Sequence, residues 1–505
     1  MPTISVVSGL SNANIDALRA SIKSVVSQTF DDWEWCIVAD YPTDPKIKKL
    51  LAKWVNKDPR IRLYFQNSPS GEYGALQEAF EAATGFFIAV LHQNAQLHQN
   101  ALLEVSKEFL SNDDIDYLYT DEDTINLNGT PAKALRKPDF DPIRLMTSNY
   151  CSNFSVFRSA LLDKIGGFRK KYAEAAMYDL VLRATEQARV ISHIPKVLYH
   201  GNAQTPSEGP NTHVVIEDHL SRIGLNANIS RREHGGFSVT PVITGDIKAS
   251  IVIPTRGTSK VVWGVNTCLV NNAIDSLLKN TQYKNYEIIV VYDFKSGIPA
   301  NPIGLPDDPR IKILPYDAPF NFSEKCNLGV QSSNGEVVVL LNDDVQIEDP
   351  NWLTVLVSML QFPNVGMVGP MLLLEDSRIQ SAGHTNNPTP LNFGSGQWPN
   401  EMDASSLFNI TRCVSGVTAA CAAIRRETYD QLGGLSTDFP ASFNDVDFAN
   451  KLLGFGQSIV WTPLTRLYHF ESLSRDPTAS EHELAMLKKR WGRTFGKDPF
   501  SPQLA

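Results

Sequence analysis

The chain has 505 residues, of which 42% are hydrophobic and 20% charged, with a net charge of -9, an ordinary composition for a globular protein. That charge, with no run of Lys or Arg, argues against nucleic acid as a partner, and any anionic substrate must be met by local cations or a metal; a nucleotide-containing ligand is not excluded. No apolar run approaches the ~20 residues of a membrane span, and the six cysteines Cys36, Cys151, Cys268, Cys326, Cys413 and Cys421 show neither a zinc spacing nor a disulfide framework.

Met1 to Val7 begins a strand at once, leaving no basic segment followed by an apolar one that could serve as a signal peptide, which predicts a cytosolic protein. Trp33 to Asp40 is a largely apolar run closing on an acid and reads as a buried strand. Ala89-Val90-Leu91 is a second such run, and it leads into His92-Gln93-Asn94. Ile165-Gly166-Gly167-Phe168, Tyr178-Asp179-Leu180 and Pro195 to His200 follow in turn. Gly201 to Gly209 is small and polar, Val214 to Ile223 reads as a helix, and Arg231 to Gly236 leads onward.

The same landmarks then recur in the same order. Tyr286 to Asp293 matches Trp33 to Asp40 without a gap, and Val339 to Asp344 matches Ala89 to Asn94. Leu432 to Leu435, Val446-Asp447-Phe448 and Pro463 to His469 complete the series, the last with one extra residue. A repeat of this kind sets the count at two domains of roughly 250 residues, 1–245 and 246–505, each large enough for its own core. Lys497 to Pro502 is a proline-punctuated tail with little regular structure.

Inside each copy, strands and amphipathic helices alternate, as in Ile251 to Ile253, Ala273 to Leu278 and Glu287 to Val291. This predicts an α/β fold with a Rossmann-like, mostly parallel sheet. Ligands of such sheets gather at the carboxyl ends of the strands, where Asp293 and Asn342-Asp343-Asp344 fall. Acids from two separate strands are thus expected in one crevice.

Seven stretches of the second copy now carry a resemblance: Ile253-Pro254-Thr255-Arg256, Phe320 to Ser323 with Asn327-Leu328-Gly329, Leu341 to Asp344, Ile379 to Gly383, Thr418 to Cys421, Phe443 to Phe448, and His469 to Arg475. In that order they resemble the family 2 glycosyltransferases of the GT-A fold, in particular the multi-domain kind that builds bacterial O-antigens, capsules and rhamnose-rich polysaccharides. Gln28-Thr29-Phe30, Tyr119 to Asp123, Lys137 to Pro142 and His193-Ile194-Pro195 tie the first copy to the same family. Nearly the whole chain is covered, which implies two tandem GT-A domains.

The resemblance implies a nucleoside-diphosphate-sugar donor and a divalent metal, Mn2+ or Mg2+, whose charge offsets that of the leaving diphosphate. Asp344 is then the metal-binding acid, His469 a further metal ligand, and Asn342 and Asp343 neighbours of the donor ribose and phosphates. Thr255 belongs to the donor side, Asp293 meets the nucleotide base, and Lys325 and Arg475 reach the diphosphate. The residues around Asp293, Tyr292 to Ser296, depart from the family's usual run, so the base itself stays open. Asp445 is the implied general base for the acceptor hydroxyl, with Asp447 orienting the helix or meeting the acceptor, and direct displacement would invert the anomeric carbon. Taken singly, these residues also read as a turn at Asn342 to Asp344, a packed histidine, a helix cap at Asn444 and Asp445, and surface charges at Lys325 and Arg475.

In the first copy, His92, Gln93 and Asn94 replace the acidic triplet and Met177 stands where Asp445 stands, although Asp40, Asp121, Asp123 and His200 persist. The expected first domain is degenerate, retained for packing or for holding the acceptor glycan. The expected protein is an inverting glycosyltransferase whose acceptor is a bacterial surface polysaccharide or its lipid-linked precursor. It would meet the inner face of the plasma membrane through that acceptor or through polysaccharide-assembly partners. The alternatives are a bifunctional polymerase with two sites and a carbohydrate-binding scaffold without turnover.

Overall fold

A computed structural model describes residues 2–125, 132, 134–202, 209, 211–233, 235–293, 303–401, 407–470 and 481–501. It divides into two compact units, 1–224 with 235–237 and 225–234 with 238–501. The duplication seen in the sequence is a duplication of sheet topology. In the first unit the strand order is Ile61–Phe65, Trp33–Ala39, Ile4–Leu10, Phe87–Val90, Val156–Arg158, Ile115–Ile125, Val190–Asn202 and Gln96–Leu97. In the second it is Ile311–Tyr316, Tyr286–Asp293, Ala249–Thr255, Val337–Leu341, Cys421–Arg425, Val365–Leu373, Ser458–His469 and Val345–Ile347.

The two orders correspond strand for strand. In each set of eight, only the fifth strand and the short last one run antiparallel to their neighbours. Ala249–Thr255 and Val337–Leu341 are buried along their whole length, because helices covering both faces of a parallel sheet leave no strand position for a polar face. The parallel strands of each unit therefore end together, and the loops after them form one rim.

Local signals account for several helices. Asn321 accepts a hydrogen bond from the Glu324 N–H at the start of Phe322–Gln331, satisfying one of the helix's orphan donors. The helix expected over Val214 to Ile223 forms at Thr212–Arg222. Arg231 to Gly236 is not a plain lead-in: Arg231 ends the strand Ala227–Arg231, which pairs with Phe237–Pro241, and Gly235 and Gly236 have φ of 90° and 73°. Among the described residues, no helix is long and apolar enough to cross a membrane.

Candidate active site

At the carboxyl rim of the second sheet lies a cleft of about 360 Å³, lined by Thr255, Arg256, Lys325, Asn342, Asp343 and Asp445 among others. Thr255 closes the central strand, and its hydroxyl donates to Asp343 Oδ2 at 2.6 Å. Asp343 is nearly enclosed. Burial first, and the neighbouring Asp344 charge second, push its carboxyl up to about 6.

Lys325 enters from the first turn of the Phe322–Gln331 helix. Its ammonium donates to Asp293 Oδ1 at 2.6 Å and to the Thr255 carbonyl at 2.7 Å. With 1% of the side chain exposed, burial draws the lysine below its ordinary value against the pull of Asp293. Lys325 is therefore anchored on the acid that ends the Tyr286–Asp293 strand. Arg256 Nε lies 3.6 Å from the other Asp293 oxygen, and its guanidinium sits 5.7 Å from the Phe320 ring centre. Arg256 has no expected role from sequence, although its place directly after the Ala249–Thr255 strand is a signal for one.

Asp344 and His469 come together from different ends of the unit, with 3.1 Å between Oδ1 and Nε2. The Phe470 N–H donates to the Asp344 carbonyl at 3.0 Å, which ties the two segments by backbone. Among the described residues, Asp344 Oδ1 and Asn342 Oδ1 are buried and receive no well-formed hydrogen bond. No group of three or more His, Cys, Asp or Glu is placed to hold a metal among those residues. One carboxylate and one imidazole nonetheless fit a hard divalent ion that keeps waters and takes phosphate oxygens from its substrate.

Asp445 stands in the first turn of Asn444–Gly454, where the helix dipole favours a negative charge. Its carboxylate accepts from Ala419 N at 3.2 Å and from Val446 N at 2.8 Å, and it borders the cleft. Asp447 is fully buried and paired with Lys451 at 2.9 Å and Arg490 at 2.8 Å, with Trp491 Nε1 also donating to it. It fastens the Asn444–Gly454 helix to Glu481–Trp491. Arg475 lies outside the described residues.

The equivalent rim of the first unit is occupied by its own chain. Asp40 accepts from Ser11 Oγ and from the N–H groups of Tyr41, Ser70 and Gly71, at 2.8 to 3.1 Å. Glu72 takes a hydrogen bond from Gln93 at 3.0 Å and lies 3.4 Å from His92 Nδ1. Asn94 Oδ1 accepts from Asn14 N, and Asp123 pairs with His200 at 2.7 Å. Asp121 is held by Arg136, His193 and the Lys137 N–H. Ala75, at the register of Lys325, and Met177 are both buried.

Two mostly parallel α/β sheets with a shared strand order, each with a polar rim at the carboxyl ends of its strands, define tandem GT-A domains. The family described as Glycosyl transferase family 2 matches residues 5–166 and 250–433; the chain belongs to that family through both units. A protein of Sinorhizobium fredii, y4gI, is 34% identical over all of this chain and 58% of its own length. The O-antigen biosynthesis protein RfbC of Myxococcus xanthus is 32% identical over 94% of this chain and 38% of its own length. The chain thus spans less than two thirds of either relative. Among solved structures, TarS residues 1–349 of S. aureus in complex with UDP is similar at 18% identity and a TM-score of 0.37, over 44% of this chain and 64% of that one.

Proposed function

We propose that the second unit is an inverting, metal-dependent glycosyltransferase that moves a sugar from a nucleoside diphosphate to a bacterial surface polysaccharide or its lipid-linked precursor, and that the first unit performs no transfer. One observation carries this reading. The second unit brings Lys325, Asp343 and Asp445 to one cleft, with Asp293 paired to Lys325 and with the Asp344–His469 pair alongside, while Ala75, Asn94 and Met177 stand at the first-unit positions of Lys325, Asp344 and Asp445.

In this reading Asp293, held by Lys325, meets the nucleotide base, and Thr255, Asn342 and Asp343 line the path to ribose and phosphates. Asp344 and His469 would hold Mn2+ or Mg2+, which stabilises the charge that develops on the leaving diphosphate. Asp445 removes the proton from the acceptor hydroxyl as its oxygen attacks the anomeric carbon. The bond to the diphosphate oxygen breaks on the opposite face, so the configuration inverts and the nucleoside diphosphate leaves with the bonding pair.

The test is nucleoside diphosphate release from a panel of UDP-, dTDP- and GDP-sugars with Mn2+ or Mg2+ and bacterial surface oligosaccharides. Asp344→Ala and Asp445→Asn should abolish it, and Asn94→Ala should leave it unchanged. Activity that survives both second-unit changes would move catalysis to the first unit. Glycan binding without diphosphate release would make the chain a scaffold.

A further inference from the structure

The units differ between the first strand and the first helix of each sheet. In the first unit Ser11 to Asn14 joins Leu10 directly to the helix Ile15–Val26. In the second, Arg256 to Cys268 carries a hairpin, Ser259–Val262 against Val265–Cys268, with Val262 opposite Val265. Trp263 and Gly264 form its tip, at φ of 44° and 79°. Two left-handed residues suit such a turn when they are Gly, Asn or Asp. A tryptophan adopts that conformation only where its surroundings impose it.

Those surroundings are specific. The Trp263 N–H donates to Glu375 Oε1 at 2.6 Å, and the indole N–H donates to the Glu375 carbonyl at 3.0 Å. The indole stands edge-on to Tyr468 at 5.3 Å and to Phe470 at 5.0 Å between ring centres. These two aromatics immediately flank His469. Phe470 also joins Val262 and Leu269 in a small buried cluster separate from the main core, and the Tyr468 hydroxyl lies 2.9 Å from Ser377 Oγ. Among the described residues the first unit shows no such arrangement: Tyr199 and Gly201 flank His200, which pairs with Asp123.

We propose that Trp263 is a positioning residue that fixes Tyr468 and Phe470, and through them sets the His469 imidazole against Asp344 for a divalent cation. The inference rests on the metal role proposed above for those two residues. Groups that hold metal ligands in place change metal affinity by about 10- to 100-fold when lost.

The experiment titrates the full chain with Mn2+, without donor, and follows the electron paramagnetic resonance signal of the free ion. Trp263→Ala should weaken binding about 10-fold or more, Trp263→Phe should retain most of it, and His469→Ala should lose at least as much as Trp263→Ala. Glu375→Ala, which leaves the indole in place but removes the side-chain acceptor of the Trp263 N–H, should shift affinity in the same direction. It carries the test if Trp263→Ala does not fold. Wild-type affinity in Trp263→Ala and Glu375→Ala, with loss in His469→Ala, overturns the inference and leaves the proposed function intact. A wild-type chain that binds no Mn2+ removes both the metal role and this inference.

Discussion

Lys325 sets its ammonium 2.6 Å from the Asp293 carboxylate, on a side chain that is almost wholly enclosed. Asp293 keeps about a third of its side chain exposed; the lysine lines the cleft, while the acid gives it one oxygen and faces Arg256 with the other. Lys325→Met should cost about 2 kcal/mol of stability, because the half-buried carboxylate loses a charge-assisted partner. Urea unfolding measures it. A combined Lys325→Met and Asp293→Asn variant should lose less than the two single losses summed, since the pair is coupled.

Asp343 supplies a pH dependence in the ligand-free protein. Its folded value of about 6 stands above the ordinary 3.8, so the folded chain binds the proton more tightly than the unfolded one. The stability from this group is full below about pH 4 and is lost as the pH rises through about 6. The difference of 6 − 3.8, roughly 2 units, corresponds to about 3 kcal/mol. Asp343→Asn should flatten that slope and melt higher than wild type at neutral pH. A cation at the adjacent Asp344 favours the ionised form, so Mn2+ binding should strengthen from about pH 5 to about pH 7.

Asp498 predicts that the proline-punctuated tail is a docked element. Its carboxylate accepts from Asn386 N, Ser415 Oγ and Phe500 N, each at 3.0 Å, and from Ser501 N at 3.2 Å. Asp498→Ala leaves buried donors without their acceptor and should cost about 2 to 3 kcal/mol. Hydrogen exchange should accelerate first at Asn386, while amides of the Val337–Leu341 strand stay protected until global unfolding.

The duplication and the rim acids were legible because they follow from local pattern plus topology. A buried apolar strand ending in Asp293 or Asn342-Asp343-Asp344 must deliver those residues to the carboxyl edge of a parallel sheet. What the sequence hid depends on partners distant in the chain. Lys325 reads as a surface lysine until the Thr255 carbonyl and Asp293 converge on it. Trp263 has its ring partners at Tyr468 and Phe470, and Asp498 finds Ser415. Arg231 to Gly236 resembled a linker because glycine-rich polar residues suit hairpin turns equally well.

Asp40 and Asp293 close equivalent strands and invite the same substitution with opposite outcomes. In the first unit four donors converge on Asp40, and two of them, the Ser70 and Gly71 N–H groups, open the Gly71–Ala82 helix, which has no side-chain cap at Ser70. Asp40→Ala should therefore act through folding, costing about 2 to 3 kcal/mol in urea unfolding, with donor affinity unchanged. Asp293 gives one oxygen to Lys325, faces Arg256 with the other, and keeps about a third of its side chain exposed. Asp293→Ala should weaken donor binding by about tenfold or more, as expected for a charge-assisted contact worth about 1.5 kcal/mol or above. Calorimetric titration with the donor found by the release panel separates the two. If Asp40→Ala instead weakened binding while melting like wild type, the first-unit rim would hold ligand, and its self-bonded acids would be a closed state of a working site.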